Sequence, residues 1–303
     1  MSAVGETAAA ATAGGHRFGS IAAIRRSLAE IDYLADDGIA GVVYLADRLD
    51  KPVLVEGPAG TGKTELAKSV ARLTGARLIR LQCYEGLDES KALYEWNYKK
   101  QLLRIQADAG RSWDKLEEDI FSEDFLLTRP LLEAIRSPEP VVLLIDEVDR
   151  VELETEALLL EVLSEYQVSI PELGTVRATT IPMVFLTSNN TRELSEALKR
   201  RCLFLHLDYP DVERERAIVE ARVPGISAQL ADQVARIVRS IRSLDLKKHP
   251  SVSETLDWAR TLVVLGIESV DATIARDTLH ILLKYRSDIE KAAKELAGLD
   301  APS

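Results

Sequence analysis

Cysteine and histidine are scarce in this chain, which has two cysteines and four histidines among its 303 residues. Cys83 and Cys202 stand far apart, so they provide neither a disulfide framework nor the spacing of a metal site. A small buried side chain is a commoner role for such a cysteine than a reactive thiol. The histidines are equally scattered and favour solvated or core positions.

Long apolar runs are absent as well. No stretch approaches the roughly 18–20 apolar residues that a membrane-spanning helix requires. Residues 1–17 are rich in Ala, Gly and Thr but lack the basic start and apolar centre of a signal peptide. We therefore expect a flexible tail there, no transmembrane segment and a cytoplasmic protein.

Positive charge is in deficit, because the formal net charge is −11 at pH 7. No net field would attract nucleic-acid phosphates, so we expect no nucleic-acid partner, although a local basic channel in an oligomer would escape this reasoning. With 46% hydrophobic and 29% charged residues, the composition is that of an ordinary globular protein. The length allows one large domain or two, with ample apolar core.

A glycine-rich stretch that follows a short apolar run is the strongest motif. The run at residues 52–55 is typical of a buried strand, and the next motif fits G-x-x-x-x-G-K-[ST] at every fixed position. We predict that it binds nucleotide phosphates through Gly57, Pro58, Ala59, Gly60, Thr61, Gly62, Lys63 and Thr64. The glycines let backbone N–H groups converge on phosphate oxygens. Lys63 adds charge for the β- and γ-phosphates, and the Thr64 hydroxyl can ligate Mg²⁺. Residues 65–73 have helical spacing, so a helix N-terminus would contribute too; a chance glycine-rich turn is the alternative.

The second decisive stretch is VVLLIDEVDR at residues 141–150. Its five leading apolar residues predict a strand buried on both faces, as in a parallel sheet. Asp146 and Glu147 follow at the carboxyl end, where open α/β sheets bind ligands. In this Walker B pattern Asp146 would hold the Mg²⁺ shell, and Glu147 would orient or deprotonate the attacking water. Acidic residues also end ordinary strands, but the pairing with the P-loop favours the functional interpretation.

Four further residues have both a functional and a structural interpretation. Tyr33 precedes the first strand, where a side chain can touch the adenine base or simply join the core. Asn189 follows a predicted strand at residues 183–187, where an amide can bond water or the γ-phosphate or serve only as a turn residue. Arg200 and Arg201 end a predicted helix. Basic residues there favour the helix dipole, but an arginine can also be offered to the nucleotide of a neighbouring subunit.

Aromatic and basic side chains interleave at residues 83–105. Such a mixture can form a nucleic-acid surface, but the acidic chain favours an amphipathic helix that packs on its own domain or on a neighbouring subunit. Further along, residues 107–118 predict a loop or short helix, and residues 125–135 predict a helix. Residues 168–177 predict a β-hairpin with a glycine turn.

Together these patterns predict an α/β fold, in which a parallel P-loop sheet flanked by helices is followed by a small all-α lid domain. The expected division is a tail at residues 1–17, a nucleotide-binding domain at 18–209 and a helical lid at 210–303. Helices are expected at residues 41–49 and, in the lid, at 212–222, 226–246, 253–267 and 269–296, with a break near Arg286 left open.

The order of P-loop, acidic strand end, strand ending in Asn, terminal arginines and helical lid resembles the AAA+ ATPases. The phrases LIRLQCYEGLDESKALYEWNYKKQLLRIQ and YQVSIPELGTVRATTIPMVFLTSN are similar to the MoxR group, and within it to the branch associated with carbon monoxide dehydrogenase maturation. The resemblance runs from about Phe18 to the C-terminus. It implies that residues 83–105 are the helix-2 insert and residues 168–181 the hairpin before sensor 1.

The resemblance also implies roles for single residues. Asn189 would be sensor 1, and Arg201 would be the arginine finger, with Arg200 as the runner-up. One position departs from the family pattern, because many members carry a sensor 2 arginine in a Ser-Pro-Arg phrase where this chain has Thr255. Either Arg260 substitutes for it, or the lid couples weakly to the γ-phosphate.

What the resemblance implies about activity is a homo-oligomeric ring, usually hexameric, that uses ATP and Mg²⁺ to remodel a client. MoxR-type rings often work with a von Willebrand A-domain partner on metalloenzymes, and in this branch the client's molybdenum–copper site is completed. A ring ATPase acting on nucleic acid is one alternative, which the acidic charge disfavours. A nucleotide-gated binding module with negligible hydrolysis and a small-molecule kinase are the others.

Overall fold

The structure, a computed structural model, describes residues 16–107 and 119–299. Nearly all of the predicted tail and of the predicted loop or short helix at 107–118 lies outside these residues. Contacts divide the chain into two units. The sheet unit comprises the described residues up to Ser27, Asp36–Glu56 and Thr64–His206, and the helical unit comprises Leu28–Ala35, Gly57–Lys63 and the described residues from Leu207 onward. The proposed domain division at residues 209 and 210 stays a prediction.

Strands and helices are mixed through the first two thirds of the chain, and only helices follow in the residues that the structure describes. The strands are β1 (Val53–Glu56), β2 (Arg77–Gln82), β3 (Tyr94–Trp96), β4 (Leu126–Thr128), β5 (Val141–Asp146), β6 (Gln167–Ile170), β7 (Gly174–Arg177), β8 (Met183–Ser188) and β9 (Leu203–His206). The helices are α1 (Ile21–Glu30), α2 (Asp37–Leu49), α3 (Lys63–Thr74), α4 (Glu89–Ala92), α5 (Tyr98–Ala107), α6 (Pro130–Arg136), α7 (Leu153–Glu165), α8 (Glu196–Arg201), α9 (Val212–Arg222), α10 (Ala228–Arg242), α11 (Val252–Val264), α12 (Ala272–Leu282) and α13 (Arg286–Leu299).

A five-stranded parallel sheet in the order β2-β5-β8-β1-β9 forms the core of the sheet unit. All six residues of β5 and all six of β8 are buried, as expected for central strands covered by helices on both faces. The register pairs Gln82 with Asp146 and Glu56 with Ser188. The carboxyl ends of four strands therefore meet at one edge, and the predicted P-loop sheet is confirmed.

Residues 83–105 do not form the single amphipathic helix that we expected. They begin with a turn in which Gly86 has φ of 79°, and they continue as α4, β3 and the first part of α5. Trp96 in β3 is 7% exposed and packs edge-to-face on Phe121, with ring centroids 5.3 Å apart. The prediction of a single helix is wrong because Trp96 is buried as part of a strand, β3, which pairs antiparallel with β4.

The helix predicted at residues 125–135 is also wrong over its first half. Glu123–Phe125 is a 3₁₀ turn and β4 follows it, so α6 begins only at Pro130, a residue suited to the first helical turn. The helix predicted from Gly41 begins earlier, at Asp37, because the side chain of Asp36 accepts a hydrogen bond from the Ile39 N–H at 2.8 Å. The predicted hairpin is confirmed by the antiparallel pairing of β6 with β7.

The described part of the helical unit contains five helices after Leu207, α9 to α13, because the last of the four predicted helices is broken just before Arg286, where we left a break open. The last predicted helix divides at Leu283, whose extended backbone ends α12. Trp258 of α11 lies at the centre of this unit, fully buried, and its indole N–H donates to Thr278 at 2.8 Å. Nearby, the side chains of Arg242 and Glu215 form an ion pair, and both are at most 5% exposed.

Candidate functional site

The glycine-rich loop lies between β1 and α3, and its shape depends on two glycines. Gly57 has φ of 152° and Gly60 has φ of 74°. A Cβ atom on Gly57 would lie 2.0 Å from the carbonyl oxygen of Leu207, and one on Gly60 would lie 2.4 Å from the Cβ of Ser251. Neither position therefore has room for a side chain, so the loop can expose its N–H groups only as glycine backbone.

Lys63 ends the loop and begins α3. The side chain is 6% exposed, and its Nζ donates to the carbonyl oxygens of Gly57 and Pro58 at 2.7 Å each. The amine is thus hydrogen-bonded to the backbone of its own loop. Tyr33 is 9% exposed, and its ring lies 3.9 Å from the place a Cβ on Gly62 would occupy. Tyr33 is therefore beside the P-loop, while its predicted contact with adenine stays a prediction.

Asp146, at the carboxyl end of β5, is the centre of a second cluster. Its Oδ1 accepts hydrogen bonds from the hydroxyl groups of Thr64 at 2.9 Å and Thr187 at 2.5 Å, and its Oδ2 accepts one from Arg80. The Asp146 side chain is only 5% exposed. A carboxylate and a hydroxyl are the oxygen donors that suit Mg²⁺, which usually combines one or two carboxylates with substrate phosphates. The donor set of Thr64 and Asp146 therefore fits the predicted metal.

No cluster of three or more His, Cys, Asp or Glu side chains suited to a metal ion occurs within residues 16–107 and 119–299. Cys83 follows β2 beside Asp146, since its N–H donates to the Asp146 carbonyl at 2.8 Å. Burial, reinforced by the charge of Asp146, raises the pKa of the Cys83 thiol to about 12. Cys83 is thus a buried thiol rather than a reactive one.

Glu147 has left-handed backbone angles, φ of 58° and ψ of 49°. Its N–H donates to the Thr187 hydroxyl at 2.9 Å, and its carboxylate pairs with the Nε of Arg150 at 2.9 Å. A non-glycine residue in this region is strained by roughly 1–2 kcal/mol, and such strain clusters at functional sites. The Glu147 side chain is 36% exposed, so it can meet a water molecule.

Asp149 is a site residue that the sequence analysis missed. Its Oδ2 accepts hydrogen bonds from the Thr191 hydroxyl at 2.6 Å, the Thr191 N–H at 2.9 Å and the Asn189 N–H at 3.2 Å. Burial disfavours the ionised carboxylate, but these hydrogen bonds outweigh it and hold the pKa of Asp149 below its ordinary value. The loop that contains Asn189 is therefore tied to the turn that follows Asp146. The second aspartate of the sequence DEVD was the signal from which the sequence analysis could have identified Asp149.

The two predicted arginine-finger residues end α8 and differ in their surroundings. The guanidinium of Arg201 donates to the Ser164 hydroxyl and to the Ala197 carbonyl, the latter at 3.0 Å. Arg200 is exposed and makes no hydrogen bond or ion pair with any residue that the structure describes. Of the two, Arg200 has the more exposed side chain, and which of them is the arginine finger stays a prediction.

Thr255, which stands where the family pattern has sensor 2, is fully buried. Its hydroxyl oxygen lies 2.9 Å from Oε1 of Glu215 and 3.1 Å from the Ser251 carbonyl oxygen, and its one proton can be donated to either acceptor. Arg260 is about half exposed and pairs with Asp257 at 3.1 Å on its own helix. Thr255 thus completes the Arg242–Glu215 pair of the helical unit, and Arg260 has a surface environment.

Comparison with known proteins adds to this geometry. Residues 52–202 match the family described as AAA domain (dynein-related subfamily). The chain is 29% identical over 256 residues to the gas vesicle ATPase GvpN of Haloferax mediterranei, covering 81% of this chain and 72% of the relative. It is 26% identical over 280 residues to the gas vesicle ATPase GvpN2 of Halobacterium salinarum, covering 86% and 78%.

Among solved structures, a variant of RuvB from Thermotoga maritima aligns with a TM-score of 0.47 and 16% identity, covering 88% of this chain and 71% of that one. This likeness is distant, so the fold is assigned from the strand order and the family match. No helix in the described ranges is long and apolar enough to cross a bilayer.

Proposed function

Residues 52–202 form an AAA domain of the dynein-related subfamily and the chain is an ATP hydrolase; from this premise we propose that it hydrolyses ATP at the interfaces of a homo-oligomeric ring to remodel a protein client. The observation that carries the catalytic part is the 2.9 Å hydrogen bond from Thr64 to Asp146. It joins the last residue of the phosphate-binding motif to the acidic end of a central strand, the arrangement required to hold a nucleotide-bound metal.

The chain's own residues divide the work on the phosphates. The N–H groups of the P-loop would bind phosphate oxygens, and Lys63 would redirect its amine from the Gly57 and Pro58 carbonyls to the terminal phosphates. Thr64 and Asp146 would hold Mg²⁺, which supplies positive charge against the phosphates when bound. Because Lys63 and Thr64 are consecutive, both groups would serve one nucleotide.

Hydrolysis additionally needs a positioned water molecule. Glu147 would accept a proton from that water, because its side chain is 36% exposed whereas that of Asp146 is 5% exposed. Asn189 would orient the water or the γ-phosphate, with its loop fixed by Asp149. These roles are supported by the chain positions of Glu147 and Asn189, which directly follow the carboxyl ends of β5 and β8.

The positive charge that stabilises the transition state would come from a neighbouring subunit, through Arg200 or Arg201. This proposal is supported by the exposure of Arg200 at the end of α8 and by the family resemblance. An arginine finger supplied in trans raises the rate by about 10³–10⁵-fold. A ring, hexameric by the same resemblance, would then have active sites only between its subunits.

For the client, the resemblance to the carbon monoxide dehydrogenase branch favours a metalloenzyme, with a von Willebrand A-domain protein as partner. The relatives named gas vesicle ATPases make a gas vesicle component the second candidate. A nucleic acid is disfavoured by the net charge of −11. Added DNA should therefore leave the ATPase rate unchanged, whereas the client should change it.

Mixing two inactive variants tests the shared site. Glu147→Gln subunits lack the base, and Arg200→Ala or Arg201→Ala subunits lack the finger, so mixed rings should contain some interfaces with both residues intact and should recover turnover. Lys199→Ala is the matched control, since Lys199 lies on the same helix and pairs with Glu193 at 3.2 Å. If no mixture hydrolyses ATP although light scattering shows mixed rings, the proposal of a shared site is wrong.

A further inference from the structure

Arg80 has no role in the site as described so far, although its guanidinium reaches the central carboxylate. It lies on β2, and its terminal nitrogen donates both to Oδ2 of Asp146 and to Oε1 of Gln82. The Arg80 side chain is 48% exposed, whereas that of Asp146 is 5% exposed. A solvent-accessible cation is thus paired with a buried anion at the strand edge.

The sheet register explains this contact. Gln82 pairs with Asp146 across the parallel β2–β5 ladder, and alternate residues of a strand share one face. Arg80 and Gln82 are both exposed and lie on the face from which Arg80 can reach diagonally to Asp146. The register of the β2–β5 pair therefore places Arg80 within reach of Asp146.

Both oxygens of the Asp146 carboxylate accept hydrogen bonds. Two hydroxyl groups, from Thr64 and Thr187, donate to Oδ1, and Arg80 donates to Oδ2. A divalent cation that binds this carboxylate would share it with a guanidinium whose charge is permanent. Like charges a few ångströms apart repel, and the carboxylate that they would share is buried, so Arg80 should weaken metal binding at Asp146.

We propose that Arg80 competes with the metal ion for Asp146, so that the site accepts the metal only together with nucleotide phosphates, whose negative charge compensates for Arg80. This inference rests on the proposed function, because it assumes that the P-loop binds a magnesium nucleotide. Arg80 acts through Asp146 and is a positioning residue. The Arg80–Asp146 pair would neutralise the charge of the buried carboxylate. It would also set the Mg²⁺ concentration at which the metal site fills.

Calorimetric titration with ADP tests this without any turnover. The affinity for ADP is measured in excess Mg²⁺ and again in EDTA, and the ratio of the two affinities reports how far the metal strengthens binding in each protein. Removing the competing charge in Arg80→Gln should raise this ratio at least about tenfold. Arg77→Gln is the matched control, because Arg77 lies on the same strand but pairs with Glu133 at 2.8 Å; its ratio should equal that of the wild type.

A ratio that is unchanged or lower in Arg80→Gln overturns the inference, the lower value meaning that Arg80 orients Asp146 for the metal instead. A general structural defect would alter ADP affinity in EDTA as well, so the ratio separates the two causes. Arg80→Met removes the charge but keeps an unbranched stem, and it carries the same prediction if the glutamine variant does not fold. Wild-type protein that binds no ADP in either condition would refute the proposed function itself.

Discussion

The contact between Gly60 and Ser251 makes a prediction that is independent of turnover. In the helical unit the P-loop lies against the N-terminus of α11, where Ser251 is the N-cap and the Val252 N–H donates to the Gly60 carbonyl at 3.2 Å. In Gly60→Ala the new Cβ would lie 2.4 Å from the Ser251 Cβ and 2.7 Å from its Oγ, but 3.7 Å from its Cα. Replacing Ser251 with glycine should therefore relieve the clash.

The magnitudes follow from the geometry. Alanine at the Gly60 φ of 74° costs roughly 1–2 kcal/mol for the left-handed backbone, and the clash adds about 1–3 kcal/mol as overpacking. Ser251→Gly alone should cost only a few tenths of a kcal/mol, since glycine is an acceptable N-cap. The loss in free energy of unfolding in the double variant should thus be smaller than the sum of the two single losses by about 1–3 kcal/mol.

Urea denaturation of the four proteins without nucleotide measures this coupling free energy. Gly75→Ala is the matched control, because Gly75 has φ of 64° and nothing within 4 Å of a new Cβ. It should show only the backbone cost, and its effect should add to that of Ser251→Gly. If the effects of Gly60→Ala and Ser251→Gly also add without coupling, the P-loop does not lie against α11 as described.

Two other changes give separate tests. Lys63→Ala should abolish ATP binding in calorimetry, because the backbone N–H groups of the P-loop alone leave the charge of the terminal phosphates under-neutralised. The control is Lys68→Ala, a change of an exposed residue on the same helix, which should bind ATP normally. Unchanged ATP affinity in Lys63→Ala would refute the P-loop assignment. Since the fold lowers the pKa of Asp149 below its ordinary value of 3.8, its contribution to stability is present above that value and is lost as the pH falls through the folded pKa. Thermal melting below about pH 4 should therefore show a shallower loss of stability in Asp149→Asn than in the wild type, and parallel curves would contradict this.

The sequence predicted the features that depend on one stretch of chain at a time. The apolar run before Asp146 was sufficient for a central strand, and the P-loop pattern located Lys63 and Thr64. The sequence analysis did not identify Thr187 and Arg80, because each reaches Asp146 from a strand that is adjacent to β5 only in the folded sheet. The single helix predicted for residues 83–105 was wrong for a similar reason. Trp96 is buried by contact with Phe121, and local helical spacing does not reveal such a contact.

The family pattern was informative about position but less so about environment. It named Arg201 and Arg200 as candidate arginine fingers, yet only the structure distinguishes the exposed Arg200 from Arg201, which is hydrogen-bonded to Ala197 and Ser164. It also identified Thr255 as the departing residue. In the structure Thr255 bonds the buried Arg242–Glu215 pair, whose members are 13 and 40 residues away from it in the chain.

The most direct test of the central claim compares ATP binding and phosphate release in wild-type and Glu147→Gln protein. The amide keeps the shape of the side chain but cannot accept a proton, so ATP affinity should stay within about threefold while turnover falls by roughly 10²-fold or more. Glu152→Gln, an exposed acid at the start of α7, should retain full activity. Phosphate release at a near-normal rate in Glu147→Gln would remove this residue from the mechanism and contradict the assignment of the active site.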